Sequence, residues 1–191
     1  MIKKIVAIGP ESTGKSFLCE KLATHYHTAW VKEYARDYLL ENGKEYTFDD
    51  LLVIAKGQIE SEQLTVDHMR STMSNQELGT ARSSLATHHS PLFIDTDMHV
   101  MQVWCEYVFG KCHHWILNQV VNHQYDLFLL CNTDLPWVKD ELREYPDHEI
   151  REKLYQYYKE MMIAQDIPWV DISGGYEERL QKAINAVDAL L

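Results

Sequence analysis

The sequence predicts an α/β protein whose parallel sheet is covered by helices on both faces. Three observations predict it. Four short apolar runs, at residues 4–8, 91–94, 126–131 and 168–172, are continuous rather than alternating, as strands buried on both faces are. Segments of helical spacing separate them, and strand alternating with helix implies right-handed crossovers and parallel pairing. A Gly-x-x-x-x-Gly-Lys-Ser pattern stands between the first run and the first helical segment.

The first strand, residues 4–8, stops at Gly9-Pro10. That is too short for a signal peptide's apolar core, and far below the roughly 20 apolar residues of a membrane span. A helix follows over residues 15–26, and residues 28–31 form a weaker fifth strand. Residues 48 to about 73 carry apolar side chains at 51, 52, 54, 55, 59 and 64, a helical spacing. The stretch 71–90 is rich in Ser, Thr, Asn and His and predicts a helix end followed by a loop. Helices over 98–109 and 113–123 follow the second clear strand. Residues 133–149 hold Pro136, Pro146 and mixed charges, which predicts a surface lobe or lid at about 133–151. A helix over 149–164 leads into the last clear strand. In the final helix, 176–191, Leu180, Ile184, Val187 and Leu191 share one face. There is no internal repeat and no Gly/Ser linker, so residues 1–191 read as a single domain.

The formal net charge is −11, from 18 Lys and Arg against 29 Asp and Glu. A protein that coats nucleic acid needs a cationic surface, so nucleic acid is not an expected partner, and neither is a membrane. A small anionic ligand at one local site remains compatible. Cys19, Cys105, Cys112 and Cys131 contain no Cys-x-x-Cys pair, and they predict reduced thiols and a cytoplasmic location. Cys112-His113-His114 and His88-His89 lack the spacing of a four-ligand zinc site. Self-association into a homo-oligomer is left open.

The chemistry begins at Gly9-Pro10-Glu11-Ser12-Thr13-Gly14-Lys15-Ser16. Gly9 and Gly14 permit a backbone path that turns successive N–H groups toward phosphate oxygens. The helix beginning near Lys15 points its positive end the same way. Lys15 reaches the β- and γ-phosphates, and the Ser16 hydroxyl ligates Mg²⁺. A nucleoside triphosphate and Mg²⁺ are therefore the expected ligands, and the loop by itself leaves a kinase, an ATPase and a GTPase open. Gly9, Glu11, Ser12, Thr13, Gly14, Lys15, Ser16 and Phe17 are candidate nucleotide contacts.

A loop of this kind needs a carboxylate at the end of a neighbouring strand to hold the metal. Asp95 follows residues 91–94 directly and is the candidate. Asp97 reaches the same cleft or caps the next helix. Glu33, after the weak strand, is placed to orient an acceptor hydroxyl or take its proton, and Arg36 faces the same cleft if a helix starts at Tyr34. Arg143 and Arg151, in or beside the lobe, are candidates to balance charge on a moving phosphoryl group. Trp30, Tyr34 and Trp137 are candidates to stack on a planar substrate ring. The Ser173-Gly174-Gly175 loop borders the adenine or is only a turn, and Gly174 is its candidate contact.

These motifs resemble the ribosylnicotinamide (nicotinamide riboside) kinase domain of NadR-type proteins. The segments GPESTGKS from Gly9, WVKEYAR from Trp30, AKGQ from Ala55, FIDTD from Phe93 and PWVKDELR from Pro136 match in order and spacing over nearly the whole chain. The resemblance implies a three-layer P-loop kinase fold with strand order 2-3-1-4-5. It implies ATP-dependent phosphorylation of the ribose 5′-hydroxyl of nicotinamide riboside. By it Lys15 and Ser16 take the phosphate and Mg²⁺ positions, Asp95 and Asp97 the Asp-x-Asp, Glu33 and Arg36 the Glu-Tyr-x-Arg, and Asp140 and Arg143 the Asp-x-x-Arg. Gln58 matches the Ala-x-Gly-Gln and is implied to lie near the substrate. Glu141 stands where the family often has glycine. The chain starts at the kinase strand, so adenylyl transfer and DNA binding are not expected. A kinase of another nucleoside or nucleotide, and a nucleotide-dependent regulatory ATPase, are the alternative readings.

Overall fold

The computed structural model of the chain describes residues 1–79 and 89–191. In order the elements are β1 (Ile2–Ile8), α1 (Lys15–Tyr26), β2 (Trp30–Val31), α2 (Tyr34–Asn42), α3 (Phe48–Gly79) and β3 (Ser90–Asp95). There follow α4 (Met98–Phe109), α5 (His114–Asn122), β4 (Leu127–Cys131), α6 (His148–Ile163), β5 (Trp169–Ile172) and α7 (Tyr176–Asp188). The strands form one parallel sheet of order β2-β3-β1-β4-β5, the order that the resemblance implies.

The sheet is a two-sided wall because successive side chains point to opposite faces. Val6, Ile8, Leu92, Ile94, Phe128 and Leu130 pack on one face with Val100 and Val103 of α4 and Leu154, Tyr155 and Tyr158 of α6. Ile5, Ala7, Phe93, Leu127, Leu129 and Cys131 pack on the other with Leu18 and Leu22 of α1 and Ala183 and Val187 of α7. Phe93 and Phe128 are fully buried, and truncating either to Ala costs about 3–5 kcal/mol. A smaller cluster, including Ala35, Leu51, Ile54, Met98 and Ile116, joins α2–α5 beside the β2 edge.

Ala7 pairs with Asp95 and Ile8 with Leu130, so the strand ends that flank β1 lie level. The chain leaves β1 between β3 on one side and β4 on the other, where the strand order reverses. That crevice is the usual ligand position of an open parallel sheet.

Most element boundaries follow the sequence pattern within a few residues. The weak fifth strand is real but two residues long, pairing Trp30 with Phe93 and Val31 with Ile94. The larger departure is α3, which continues to Gly79 instead of ending near residue 73. Ser and Thr are tolerated there because Thr72 and Ser74 return their hydroxyls to the carbonyls of His68 and Ser71, bonds made within the helix. The remainder of the expected loop, residues 80–88 with His88, lies outside the described residues. The expected lobe is irregular from Asn132 to Asp147, with Thr133 and Leu135 buried and the other residues half-buried or exposed.

Candidate nucleotide and acceptor site

The loop between β1 and α1 is held by backbone conformation. Gly9 has φ +131°, and a Cβ there would stand 2.6 Å from the Cys131 carbonyl oxygen. Gly14 takes a left-handed conformation at φ +80° as the residue that opens α1. Any side chain at Gly9 collides with β4. The Thr13 hydroxyl donates to the Pro10 carbonyl (2.8 Å), and Lys15 Nζ donates to the carbonyls of Gly9 (3.0 Å) and Pro10 (2.8 Å). The lysine thus lies folded over its own loop.

A buried arginine that the sequence reading overlooked braces this loop from behind. Arg179 of α7 is 3% exposed. It donates to the carbonyls of Thr13, Asn132 and Gly174, each at 2.8 Å, and pairs with Asp134. One side chain therefore ties α7 to the phosphate loop, the end of β4 and the loop after β5. A lone Arg in an amphipathic helix offers no sequence signal for this.

Residues 9–17 form one end of a cleft of about 390 Å³. Asp95 stands beside it at the end of β3, 1% exposed, with no hydrogen-bond partner at either carboxylate oxygen. Burial pushes its pKa up to about 7, the nearby Glu33 charge adds to the rise, and Lys15 opposes it. The Ser16 hydroxyl is close enough to act on this carboxyl, but not in hydrogen-bonding geometry. Two buried, unpartnered carboxylate oxygens next to a hydroxyl suit a hard divalent cation. The residues present therefore fit Mg²⁺.

Asp95 and Asp97 are parted by the backbone. Thr96 between them has φ +76°, a strained conformation for a β-branched residue, costing on the order of 1–3 kcal/mol. The turn leaves Asp95 on the sheet edge and swings Asp97 under α4. There Asp97 accepts from the backbone N–H groups of His99 (3.1 Å) and Val100 (3.3 Å) and contacts His99 Nδ1 at 2.6 Å. Burial opposes a charge on His99, but Asp97 outweighs it and raises the imidazole pKa. Asp97 does not line the cleft. Of the two placements open from sequence, the helix cap is the one formed.

Glu33 precedes α2, makes no cap to it, and lines the cleft half-buried. Arg36 and Asp37 line it too, and the Arg36 guanidinium holds Asp140 of the lobe through two bonds of 3.2 and 3.0 Å. That pairing keeps the Asp140 carboxyl below its ordinary range. Arg143 lines the cleft and donates to the Val138 carbonyl.

The lobe is also fastened to the phosphate loop. Glu11 accepts from Trp137 Nε1 (3.2 Å) and from the backbone N–H groups of Glu144 (2.9 Å) and Tyr145 (2.6 Å). Ser12 Oγ accepts from the Val138 N–H at 3.0 Å. Glu11 and Ser12 therefore line the cleft while their side chains serve the lobe.

Five other expected contacts are elsewhere. Trp137 is half-buried against Glu11 and off the cleft. Gln58 is buried with both ends of its amide committed, accepting from the Tyr34 N–H (2.7 Å) and donating to the Asp95 carbonyl (3.3 Å). The Tyr34 ring packs over Gly57, where a Cβ would come within 2.2 Å of it. Gly174 donates its N–H to Asp134. Arg151 is 4% exposed, with Nε and Nη1 lacking partners, and shares a helical face with Leu154 and Tyr158 without lining the cleft itself. Gln58 and Tyr34 instead set the positions of Asp95 and Glu33 from behind.

An aromatic wall closes the far side. Val100, Val103, Trp104 and Tyr107 recur along α4 at helical spacing, and all face the cleft. Trp104 Nε1 donates to the Tyr46 hydroxyl (2.8 Å), which donates to Glu144 of the lobe (3.0 Å). The Tyr107 and Tyr145 rings meet edge-on at 5.3 Å. Trp30, the first residue of β2, lines the same cleft. Only Trp30 was singled out from sequence, although the α4 spacing carries the signal for the rest. Phe17 and Tyr176, in edge contact at 4.9 Å, flank the opposite end.

Fold and site together define a P-loop nucleotide-binding domain of kinase architecture. A family model described as an AAA domain matches residues 4–179, and the chain belongs to that family. The trifunctional NAD biosynthesis/regulator protein NadR of Escherichia coli (strain K12) is 25% identical over 195 residues, covering 100% of this chain and 43% of that protein. The protein of the same name from Salmonella typhimurium (strain LT2) matches with the same identity and coverage. The chain thus spans less than half the length of these relatives. Among solved structures, NadR in complex with NAD and AMP-PNP aligns at TM-score 0.64 and 22% identity over 98% of this chain and 49% of that one. NadR in complex with NR aligns at TM-score 0.63, also at 22% identity with the same coverage. Deoxyadenosine kinase from M. mycoides aligns at 0.56 and 12% identity over 98% of this chain and 100% of that one. At these identities the structures share the fold.

Proposed function

We propose that this chain is an ATP-dependent kinase that phosphorylates the ribose 5′-hydroxyl of nicotinamide riboside, giving nicotinamide mononucleotide. The observation that carries the reading is the meeting, in one cleft, of the phosphate loop, the unpartnered Asp95 and the uncapped Glu33, before an aromatic wall. The resemblance of NadR to the whole chain supports the choice of acceptor.

The loop N–H groups, the start of α1 and Lys15 receive the triphosphate. Ser16 and Asp95 would hold Mg²⁺, which would supply positive charge to offset that of the triphosphate. Glu33 accepts a hydrogen bond from the 5′-hydroxyl and takes its proton as the 5′-oxygen bonds to the γ-phosphorus of ATP, while the bond from that phosphorus to the β–γ bridging oxygen breaks and ADP leaves. Arg36 and Arg143 balance charge on the moving group. Trp30, Trp104 and Tyr107 offer flat faces to the pyridinium ring, whose positive charge favours them. The lobe, fastened to the phosphate loop through Glu11 and Ser12, helps to hold acceptor and donor in line and to exclude water, and most of the acceleration comes from that positioning.

ATP consumption measured against a panel of nucleosides tests the reading. Strong stimulation by nicotinamide riboside is expected. Stimulation confined to another nucleoside moves the acceptor and keeps the mechanism. Turnover indifferent to every nucleoside but altered by a protein partner assigns the chain to a regulatory ATPase instead.

A further inference from the structure

Tyr158 sits midway along α6, 4% exposed, its ring packed against the sheet face with Val6, Ile8 and Phe128. It lines the cleft together with Leu154, one turn earlier. Its hydroxyl makes no hydrogen bond among the described residues, whereas Tyr125, Tyr155 and Tyr157, phenols likewise drawn into the structure, each reach a carboxylate. The ring is buried while the hydroxyl opens on the cleft, so the polar atom that distinguishes this residue from phenylalanine is presented to whatever the cleft holds. Burial, and then the Asp97 and Glu33 carboxylates, raise the phenol's pKa well above its usual value. Tyr158 Oη therefore stays protonated and able to donate, in the cleft that Glu33 also lines.

A phenolic O–H and a carboxylate lining one cleft make a two-point receptor, in which one group donates a hydrogen bond to a lone pair and the other accepts one. A hydroxyl satisfies both at once, and a sugar presents several within a few ångströms of the one being phosphorylated. Donation to the attacking oxygen would hold back the lone pair that the transfer needs, so the phenol serves a neighbouring oxygen. We infer that Tyr158 Oη donates a hydrogen bond to a non-reacting ribose hydroxyl of the acceptor, making it the residue that selects ribosides over deoxyribosides. This rests on the kinase reading above and adds a specificity residue to it.

Calorimetric titration of nicotinamide riboside and its 2′-deoxy and 3′-deoxy analogues, with a non-hydrolysable ATP analogue present, tests this on the wild type and on Tyr158→Phe. The wild type is expected to prefer the riboside to one of the analogues by about tenfold or more, the worth of one hydrogen bond. Tyr158→Phe should weaken riboside binding by a similar factor, leave the deoxy analogue unchanged and so erase the preference. Affinity for the ATP analogue should not move. A merely structural phenol would shift all three ligands together, and retention of the wild-type ratio in Tyr158→Phe overturns the assignment while leaving the kinase reading intact. If nicotinamide riboside does not bind the wild type, the proposed acceptor is wrong, and the same ratio is read on whichever nucleoside binds. A wild type with no preference for any riboside over its deoxy form overturns the role of Tyr158.

Discussion

The two ends of the cleft are built on different principles. At the phosphate end, one run of residues, 9–17, supplies the contacts, and backbone conformation does most of the work: Gly9 and Gly14 at positive φ, a helix start and one lysine. At the acceptor end, side chains arrive from β2, α2, α4, α6 and the lobe, and no two of the groups argued to act there are adjacent in sequence. A phosphate is the same in every nucleotide, so its receptor can be a fixed backbone cradle. The acceptor differs between enzymes, so its receptor is side chains on separate elements, replaceable one at a time. Substitutions at the phosphate end should therefore abolish transfer outright, and those at the acceptor end should grade it.

Lys15→Ala should have the largest effect, lowering kcat by roughly 10³-fold or more with the thermal unfolding transition retained. Unchanged turnover would remove the phosphate-loop assignment. Glu33→Gln should lower kcat by about 10²-fold while the KM for ATP stays near wild type. A near-wild-type kcat would show that Glu33 does not take the proton.

Asp97→Ala sharpens the contrast from the other side. It removes a helix cap worth about 0.5–2 kcal/mol, so the melting temperature should fall by roughly 2–6 °C with turnover largely kept at lower temperature. A collapse of kcat without loss of stability would return Asp97 to the chemistry. Glu11→Ala frees the three donors that it holds in the lobe, and should lower kcat/KM by roughly tenfold. Amide exchange at Glu144 and Tyr145 should speed up alongside.

The smallest effect lies at the opposite edge of the sheet. Glu62 is 2% exposed, and burial alone would raise its pKa, but His123 and Lys4 outweigh burial and lower it. A carboxyl depressed by folding stabilises the protein above its unfolded pKa, and that contribution fades as pH falls through the folded value. Stability should therefore decline below the ordinary glutamate range, and Glu62→Gln should flatten that acid limb. An identical limb in the variant would mean that other carboxylates set it.

The same contrast governs what could be read from sequence. The strands were legible because burial on both faces makes them continuous apolar runs, and the phosphate loop because its residues are contiguous. Asp95 and Glu33 were legible as acids at strand ends. Asp97 was not separable from Asp95, since only the left-handed turn at Thr96 tells them apart. Gln58 and Tyr34 were picked out by motif and proved to stand behind the acids, Gln58 bonding to the Asp95 carbonyl and the Tyr34 N–H. Arg179 and Tyr158 carried no local pattern, because what distinguishes each is its partners or their absence, and those belong to other elements.

Both ends of the cleft are proposed to serve a single transfer. The most direct measurement is the amount of nicotinamide mononucleotide formed per ADP when the purified protein is given ATP, Mg²⁺ and nicotinamide riboside. A single transfer requires a one-to-one ratio in the wild type and loss of both products together in Lys15→Ala and Glu33→Gln. ADP formed at the same rate with or without the riboside, and no phosphorylated nucleoside, would contradict it.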